Sequence, residues 1–267
     1  MLIQTEEKKL EDIQKLRPID DIFFELIAQN KGVCEEILRT ILNDKLLIVD
    51  DVITQESERN IFGRSVKLDA LCTLGDGTKC NIEVQRANND NHLRRARFNA
   101  SNITVKYSSA GDKFEDVIEL YIVYISEFDF LKGSKTIYHV EKVLRETGEV
   151  IDDGLHEIYV NTYVNDGSDV SELMDCFTKC TVNNSKFPRL SAEVTRLKTT
   201  EGGISDMCEI MEQSNLRAKK DLLYDMVAEG TIHPEIAAEK LGMSIHEILD
   251  EMQEVGYSTS EASIPAR

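Results

Sequence analysis

The stretch RSVKLDALCTLGDGTKCNIEVQ, from Arg64 to Gln85, constrains this chain more than any other part of it. It alternates, turns on Gly-Asp-Gly and alternates again, the pattern of two β-strands joined by a tight loop. Side chains on a strand point to opposite faces in turn. Val66, Leu68, Ala70, Cys72 and Leu74 therefore share one face of the first strand, and Lys67, Asp69, Leu71 and Thr73 the other. On the second strand Cys80, Ile82 and Val84 form the apolar face, and Asn81, Glu83 and Gln85 the polar one. The two apolar faces must point the same way, or pairing would bury charge. A two-residue Asp76-Gly77 loop puts Asp69 and Glu83 on opposite faces. A three-residue Gly75-Asp76-Gly77 loop puts them directly opposite each other on one face. The hydrophobic pattern requires the longer loop, and Gly77 supplies the left-handed residue that such loops favour.

Two carboxylates facing at roughly 5 Å between Cβ atoms repel each other. Either they are separately solvated charges on an open sheet face, or they are ligands of one divalent cation. Hard oxygen donors favour Mg²⁺ or Mn²⁺.

Around the hairpin the chain alternates helices and strands. Residues 1–16 are densely charged and are expected to form a flexible, frayed N-terminus. RPIDDIFFELIAQNKGVCEEILRTILND reads as helix, with Pro18 in an N-terminal turn, Asp20 as a cap and Gly32 dividing two pieces. LLIVDDVITQESERNIFG reads as a strand ending at Gly63. Asn91 to about Ser109 lacks Pro and Gly and predicts a helix, and DVIELYIVYISEF predicts a buried strand. Shorter strands follow between Lys132 and Asn165, and residues 169–216 read as helices with loops. The pattern predicts an α/β domain over residues 17–215, a separable C-terminal helical unit over 216–257 and a flexible tail over 258–267.

The C-terminal unit, GTIHPEIAAEKLGMSIHEILDEMQEVGY, has the shape of a helix-turn-helix. Ala237, Ala238 and Leu241 face a core, Gly242 turns the chain and Ser244 caps the second helix. That second helix would be the DNA reader, yet it carries Glu247, Asp250, Glu251 and Glu254 with no Lys or Arg. Phosphate repels such a helix, so the unit is expected to be structural, or to dock a second copy of the chain or a protein partner.

Composition limits the partners. The net charge of -18 argues against general affinity for nucleic acid, so any contact with DNA needs a local basic patch or a metal. RANNDNHLRRARFNAS provides one, with Arg86, Arg94, Arg95 and Arg97 against the single Asp90. Arginine's planar fork suits phosphate, although such a helix surface can also be balanced by acids elsewhere. His92 could reach the site, but an exposed helix start is the expectation for it, and Asp21 and either Glu35 or Glu36 are candidate further acids between which the sequence does not choose. The six cysteines make no disulfide framework for a chain of 267 residues; Cys176 and Cys180 lie one helical turn apart, as a metal pair could, but with no second Cys/His pair near them they are expected to be buried free thiols. No apolar run approaches a bilayer span and the N-terminus has no apolar core of a signal peptide, so the cytoplasm is the expected compartment.

The helix with DDIFF, the hairpin with LDA and then NIEVQ, and the arginine-rich helix after it resemble the PD-(D/E)XK nuclease superfamily. More narrowly, they resemble the PD-(D/E)XK nuclease family transposases, relatives of the recombination-promoting nucleases. The resemblance covers roughly residues 17–215, including RSVKLDAL, YIVYISEFDF and GLHEIYVNTYVNDGSD. It implies a restriction-endonuclease-like α/β fold, with a central mixed sheet flanked by helices and a C-terminal helical extension. It also implies a metal-dependent DNA endonuclease linked to mobile DNA or recombination. Asp69 matches the family aspartate, Glu83 the glutamate of E-x-K, and Gln85 the lysine position. Asp69, Glu83 and the Val84 carbonyl would hold Mg²⁺ or Mn²⁺, which activates water and stabilises charge on the phosphate.

Gln85 departs from the broad pattern, because glutamine is neutral and offers only hydrogen bonds. Lys67 falls opposite Gln85 in the chosen register, either as a relocated ammonium or as a solvated strand lysine. Intact Asp69 and Glu83 favour an enzyme. Gln85 and the acidic charge favour a non-catalytic relative that keeps the fold as a binding or regulatory module.

Overall fold

The computed structural model describes residues 6–58, 66–88 and 91–257, the side chains of residues 6, 55–58, 66 and 67 excepted. The strands are β1 (Val49–Glu58), β2 (Val66–Leu74), β3 (Lys79–Gln85), β4 (Leu120–Ser126), β5 (Ile137–Val140), β6 (Lys142–Val143), β7 (Val150–Ile151) and β8 (Leu155–Asn161). The helices are α1 (Glu6–Lys15), α2 (Asp21–Gln29), α3 (Lys31–Ile41), α4 (His92–Lys106), α5 (Asp169–Phe177), α6 (Pro188–Thr199), α7 (Glu201–Ala228), α8 (Pro234–Leu241) and α9 (Ile245–Glu254). Two compact units divide the chain, Met1–Glu56 with Leu68–Cys208 and Ser57–Lys67 with Glu209–Arg267.

The larger unit is built on a mixed sheet of order β1-β2-β3-β4-β8-β5. β2 and β3 pair antiparallel, from Ala70↔Ile82 to Thr73↔Lys79. Leu74 N–H donates to Thr78 O at 2.9 Å, which leaves Gly75, Asp76 and Gly77 as a three-residue loop. Gly77 sits at φ 91°, as the alternation of the strands required. β3, β4 and β8 run parallel, and β5 returns antiparallel on the far edge. Parallel neighbours need a crossover, and α4 provides it between β3 and β4.

The apolar face of the hairpin packs on the α2–α3 side, where Cys34 of α3 meets Cys72 of β2. Phe23, Phe24, Ile37, Leu38, Cys72, Cys80 and Ile82 are all fully buried. Each such aliphatic or aromatic side chain contributes about 1.5–3 kcal/mol by leaving water. α4 covers the other face, with His92, Ala96, Asn99, Ala100 and Ile103 turned inward. Asn91 caps it by accepting from Arg94 N–H at 3.1 Å.

Three expectations are corrected. Within the charged stretch expected to be frayed, Glu6–Lys15 forms α1. Ile13 is fully buried, and the ammonium of Lys198 donates to the carbonyls of Gln14, Leu16 and Cys180 at 2.9, 2.6 and 2.6 Å. A partner 182 to 184 residues away leaves no local trace in sequence. Asn30, not Gly32, divides α2 from α3, because its side chain accepts from Gly32 N–H and starts the second helix. Finally, α7 passes through residues 215 and 216 without a break, so a boundary there falls inside a helix. The strand end at Gly63 and the tail at 258–267 lie outside the described residues.

The C-terminal unit holds α8 and α9. Gly242 turns left-handed at φ 69° after α8, and Ser244 and Glu247 close a capping box on α9. Leu223, Tyr224, Val227, Ala237, Ala238, Ile248 and Met252 form its core.

Candidate functional site

Asp69 and Glu83 stand one residue beyond the Ala70↔Ile82 pair, toward the carboxyl end of β3. They are 9% and 1% exposed, and Asn81 beside them is fully buried. The alternative of two solvated charges on an open sheet face is therefore ruled out by burial: α4 closes over this face. The Val84 N–H donates to Asp69 Oδ2 at 2.9 Å. Asn81 Nδ2 donates to Glu83 Oε1 at 2.9 Å, and the Asp69 N–H points to the same oxygen at 3.4 Å.

The second oxygen of Glu83, Oε2, is buried and accepts no hydrogen bond among the described residues. The charge facing it is Arg95 Nη2, 3.6 Å away. The other arm of that guanidinium, Nη1, donates to Gln85 Oε1 at 2.9 Å, and Gln85 Nε2 donates to Ala87 O at 3.0 Å. A buried carboxylate oxygen without a donor is costly, and a cation is the partner its chemistry calls for.

The electrostatics agree. Burial pushes the Asp69 carboxyl well above the usual carboxylate range, and the charge of Glu83 adds to the rise, against the Val84 N–H bond. Burial also raises Glu83, opposed by Asn81, Arg95 and the Asp69 N–H. Asp21, exposed at the start of α2, is raised by desolvation from the surrounding protein and held back by Arg95 and Arg86. Its charge is felt by both Asp69 and Glu83. Of the three further acids considered from sequence, Asp21 joins the site and the other two do not. Glu35 accepts from Val49 N–H and pairs with Arg39 and Arg189. Glu36 accepts from the N–H groups of Arg189 and Leu190 at the start of α6.

Beside the carboxylates lies a cleft of about 310 Å³ lined by Asp20, Asp21, Gln85 and Arg86 among others. Its wall is an ion-pair network. Arg86 reaches Asp20 at 2.7 Å and Glu127 at 3.3 Å, while Arg17 reaches Glu127 at 2.6 Å. Asp20 occupies the N-cap position of α2, but its carboxylate turns back to Arg17 N–H at 2.7 Å instead of capping the helix.

The four arginines of the basic stretch thus differ. Arg86 is half-exposed and held by two acids. Arg95 points inward to Glu83 and Gln85, whereas Arg94 and Arg97 lie exposed on the outer side of α4. His92 is not an exposed helix start. It is buried, with Nδ1 2.8 Å from the Tyr124 hydroxyl and its ring among Tyr124, Phe128 and Phe130. The side chain of Lys67 lies outside the described residues.

Sequence reasoning missed two partners. Asn81 was legible as the polar residue one step along the Glu83 face. Arg95 had a fainter signal, its helical phase beside the inward positions 92, 96 and 99.

Among the described residues, one group of three metal-capable side chains has its ligand atoms within 4.8 Å of one another: Glu119, Asp152 and His156. They cluster at the start of β4 and β8, the opposite end of these strands from Glu83. Glu119 and Asp152 are exposed, and Glu119 is already hydrogen-bonded to His156. All six cysteines are free thiols; Cys176 is buried as expected, whereas Cys180 is only partly so. No described helix is long and apolar enough to cross a membrane.

Compared with known families, the chain matches the model described as PD-(D/E)XK nuclease family transposase over residues 20–227. No curated protein and no solved structure matches it.

Proposed function

Because the chain belongs to the PD-(D/E)XK nuclease family transposases, we propose that it is a metal-dependent DNA endonuclease acting in the movement or recombination of DNA. The observation that carries this reading is the buried Asp69–Glu83 pair with Glu83 Oε2 lacking a donor.

Asp69, Glu83 and the Val84 carbonyl would hold Mg²⁺ or Mn²⁺, and the donor set is all oxygen, as these hard cations prefer. When bound, such an ion would supply an activated water and neutralise charge on the phosphate. The protein does the rest. Asn81 holds Glu83 Oε1 and so leaves Oε2 directed at the site. The Val84 N–H fixes Asp69 by Oδ2. Asp21 adds a third negative charge from α2, which strengthens attraction for a cation. Burial of the carboxylates excludes water and strengthens each of these interactions. Arg94 and Arg97 lie exposed on the helix that follows the site and can approach the DNA backbone as it enters.

The test is plasmid cleavage in Mg²⁺ and in Mn²⁺, wild type beside Asp69→Ala. Nicking or linearisation by the wild type alone supports the reading, and equal cleavage by the two removes Asp69 from it.

A second reading, a nuclease fold kept as a binding module, has one observation in its favour. Gln85 replaces the lysine of the broad pattern, and Arg95 already offsets the charge of Glu83. Under that reading the wild type binds DNA in the same assay and does not cut it.

A further inference from the structure

We propose that Arg95, held in place by Gln85, is the cationic group of this site: it offsets Glu83 as the structure shows it, and turns to the scissile phosphate once the carboxylates hold a metal ion. The proposal rests on the nuclease reading above and assigns a role that neither Gln85 nor the exposed arginines can fill.

Gln85 stands where the broad pattern has a donor-only lysine. Glutamine carries both an acceptor and a donor at its tip. Its Nε2 donates to Ala87 O at 3.0 Å, which fixes the amide. Its Oε1 then faces outward along the polar side of β3 and accepts from Arg95 Nη1 at 2.9 Å. A lysine at this position could not accept that bond and would repel the guanidinium. The neutral residue on the strand and the charged one on α4 are thus a matched pair, and the positive charge has moved from strand to helix.

The contact with Glu83 is of a different kind. At 3.6 Å, Arg95 Nη2 is near enough for charge attraction but beyond the 2.7–3.2 Å of a good hydrogen bond. One arm of the fork is anchored on Gln85, and the other carries charge to Glu83 through a longer contact that is easier to exchange. A planar guanidinium is weakly hydrated and matches phosphate oxygens two at a time, so it suits both partners.

The other arginines are placed otherwise. Arg86 and Arg17 are tied to Asp20 and Glu127. Arg94 and Arg97 face outward, where they can meet backbone phosphates but not the reacting one. Arg95, 36% exposed, sits at the boundary between the site and solvent.

The experiment compares wild type, Arg95→Gln, and Gln85→Lys with Arg95→Gln. It measures steady-state DNA cleavage in Mg²⁺ and, separately, Mn²⁺ binding by titration without DNA. Arg95→Gln should lower kcat about a hundredfold or more, the scale on which removal of one charge-stabilising donor acts, with KM for DNA little changed. It should also bind Mn²⁺ several-fold tighter, because no guanidinium competes for Glu83. The double variant should regain at least about tenfold in kcat, since a strand lysine restores the charge. Unchanged kcat in Arg95→Gln, or no recovery in the double variant, overturns the proposal. If the wild type cuts nothing, the nuclease reading fails and the metal titration decides this one. Tighter Mn²⁺ binding by Arg95→Gln then keeps Arg95 as the counter-ion of the site, and unchanged affinity overturns it.

Discussion

Ser244 and Glu247 cap α9 reciprocally, Gly242 ends α8 in the left-handed region, and Ile248 and Met252 fill the core between them. On the hairpin, by contrast, Asp69, Asn81 and Glu83 are buried against one another, and two of their oxygens, Asn81 Oδ1 and Glu83 Oε2, lack hydrogen-bond donors among the described residues. In the first region propensity, capping and packing agree. In the second the pairing of strands forces like charges together out of water. Sequences give up such local agreement chiefly where they have a ligand to bind or chemistry to do. The contrast therefore supports the proposal that function lies on the hairpin face, while α8 and α9 are ordinary well-packed structure.

The largest expected effect breaks the contrast at its source. Asp69→Asn and Glu83→Gln should each abolish cleavage and at the same time raise the melting temperature of the protein held in chelator, because each removes one of two buried like charges. Plasmid cleavage and thermal unfolding of the same preparations check this. Cleavage at the wild-type rate, or a lower melting temperature in both variants, would mean that the pair is not strained for a ligand.

Next in size is the opposite exchange. Ile248→Ala removes a fully buried side chain from the C-terminal core and should cost about 2–5 kcal/mol of local stability. Hydrogen exchange in α8 and α9 should rise accordingly, while cleavage at a temperature where the variant stays folded is unchanged. A proportional loss of cleavage would couple the unit to the chemistry.

How much of this was open to sequence follows the same division. Alternation with a Gly-Asp-Gly loop fixes the register of β2 and β3, because a slip of one residue would bury charge and expose the core. The C-terminal turn was legible for a similar reason: Gly242 and Ser244 act through bonds to near neighbours. What escaped depends on distant partners. Nothing near α1 announces that Lys198 will take its carbonyls. Nothing local to Asp20 shows that its carboxylate will leave the cap for Arg17 and Arg86. At the site, the two carboxylates could be paired from the strands alone. Their burial, and the inward turn of Arg95, required the packing of α4.

A smaller effect sharpens the contrast in charge. Arg94 and Arg97 are exposed on α4, whereas α9 presents acids such as Asp250. Arg94→Ala with Arg97→Ala should flatten the salt dependence of duplex DNA binding by about 0.9 log unit for each phosphate no longer neutralised. Asp250→Asn with Glu254→Gln should leave that slope as it was. A fluorescence-anisotropy titration across salt concentrations reads both. If the α9 variant changes the slope and the α4 variant does not, the C-terminal unit carries the DNA contact and the basic helix does not.

The smallest effect is one of pH, and its sign differs between the two regions. Glu251 lies below the usual carboxylate range because Lys220 donates to it at 2.6 Å, with Tyr224 adding a second bond at 2.7 Å against partial burial. A carboxyl lowered in the folded state contributes stability that is present above its unfolded value of about 4.3 and is lost as pH falls through the folded one. Asp69 and Glu83 are raised, so their contribution is present below about pH 4 and is lost as pH climbs through their folded values. Acidification in chelator should therefore slow exchange in the hairpin as pH falls through the raised folded values of the pair, and only below about pH 4.3 speed it in α8 and α9. The second change should stay below about 1 kcal/mol, because the Lys220–Glu251 pair is partly exposed and screened. Segment-resolved hydrogen exchange, corrected for its intrinsic pH dependence, follows both at once, and Glu251→Gln should remove the second change alone. If hairpin and C-terminal unit instead loosen together from neutral pH downward, the carboxylates of the site are not strained, and the contrast between the two regions is lost.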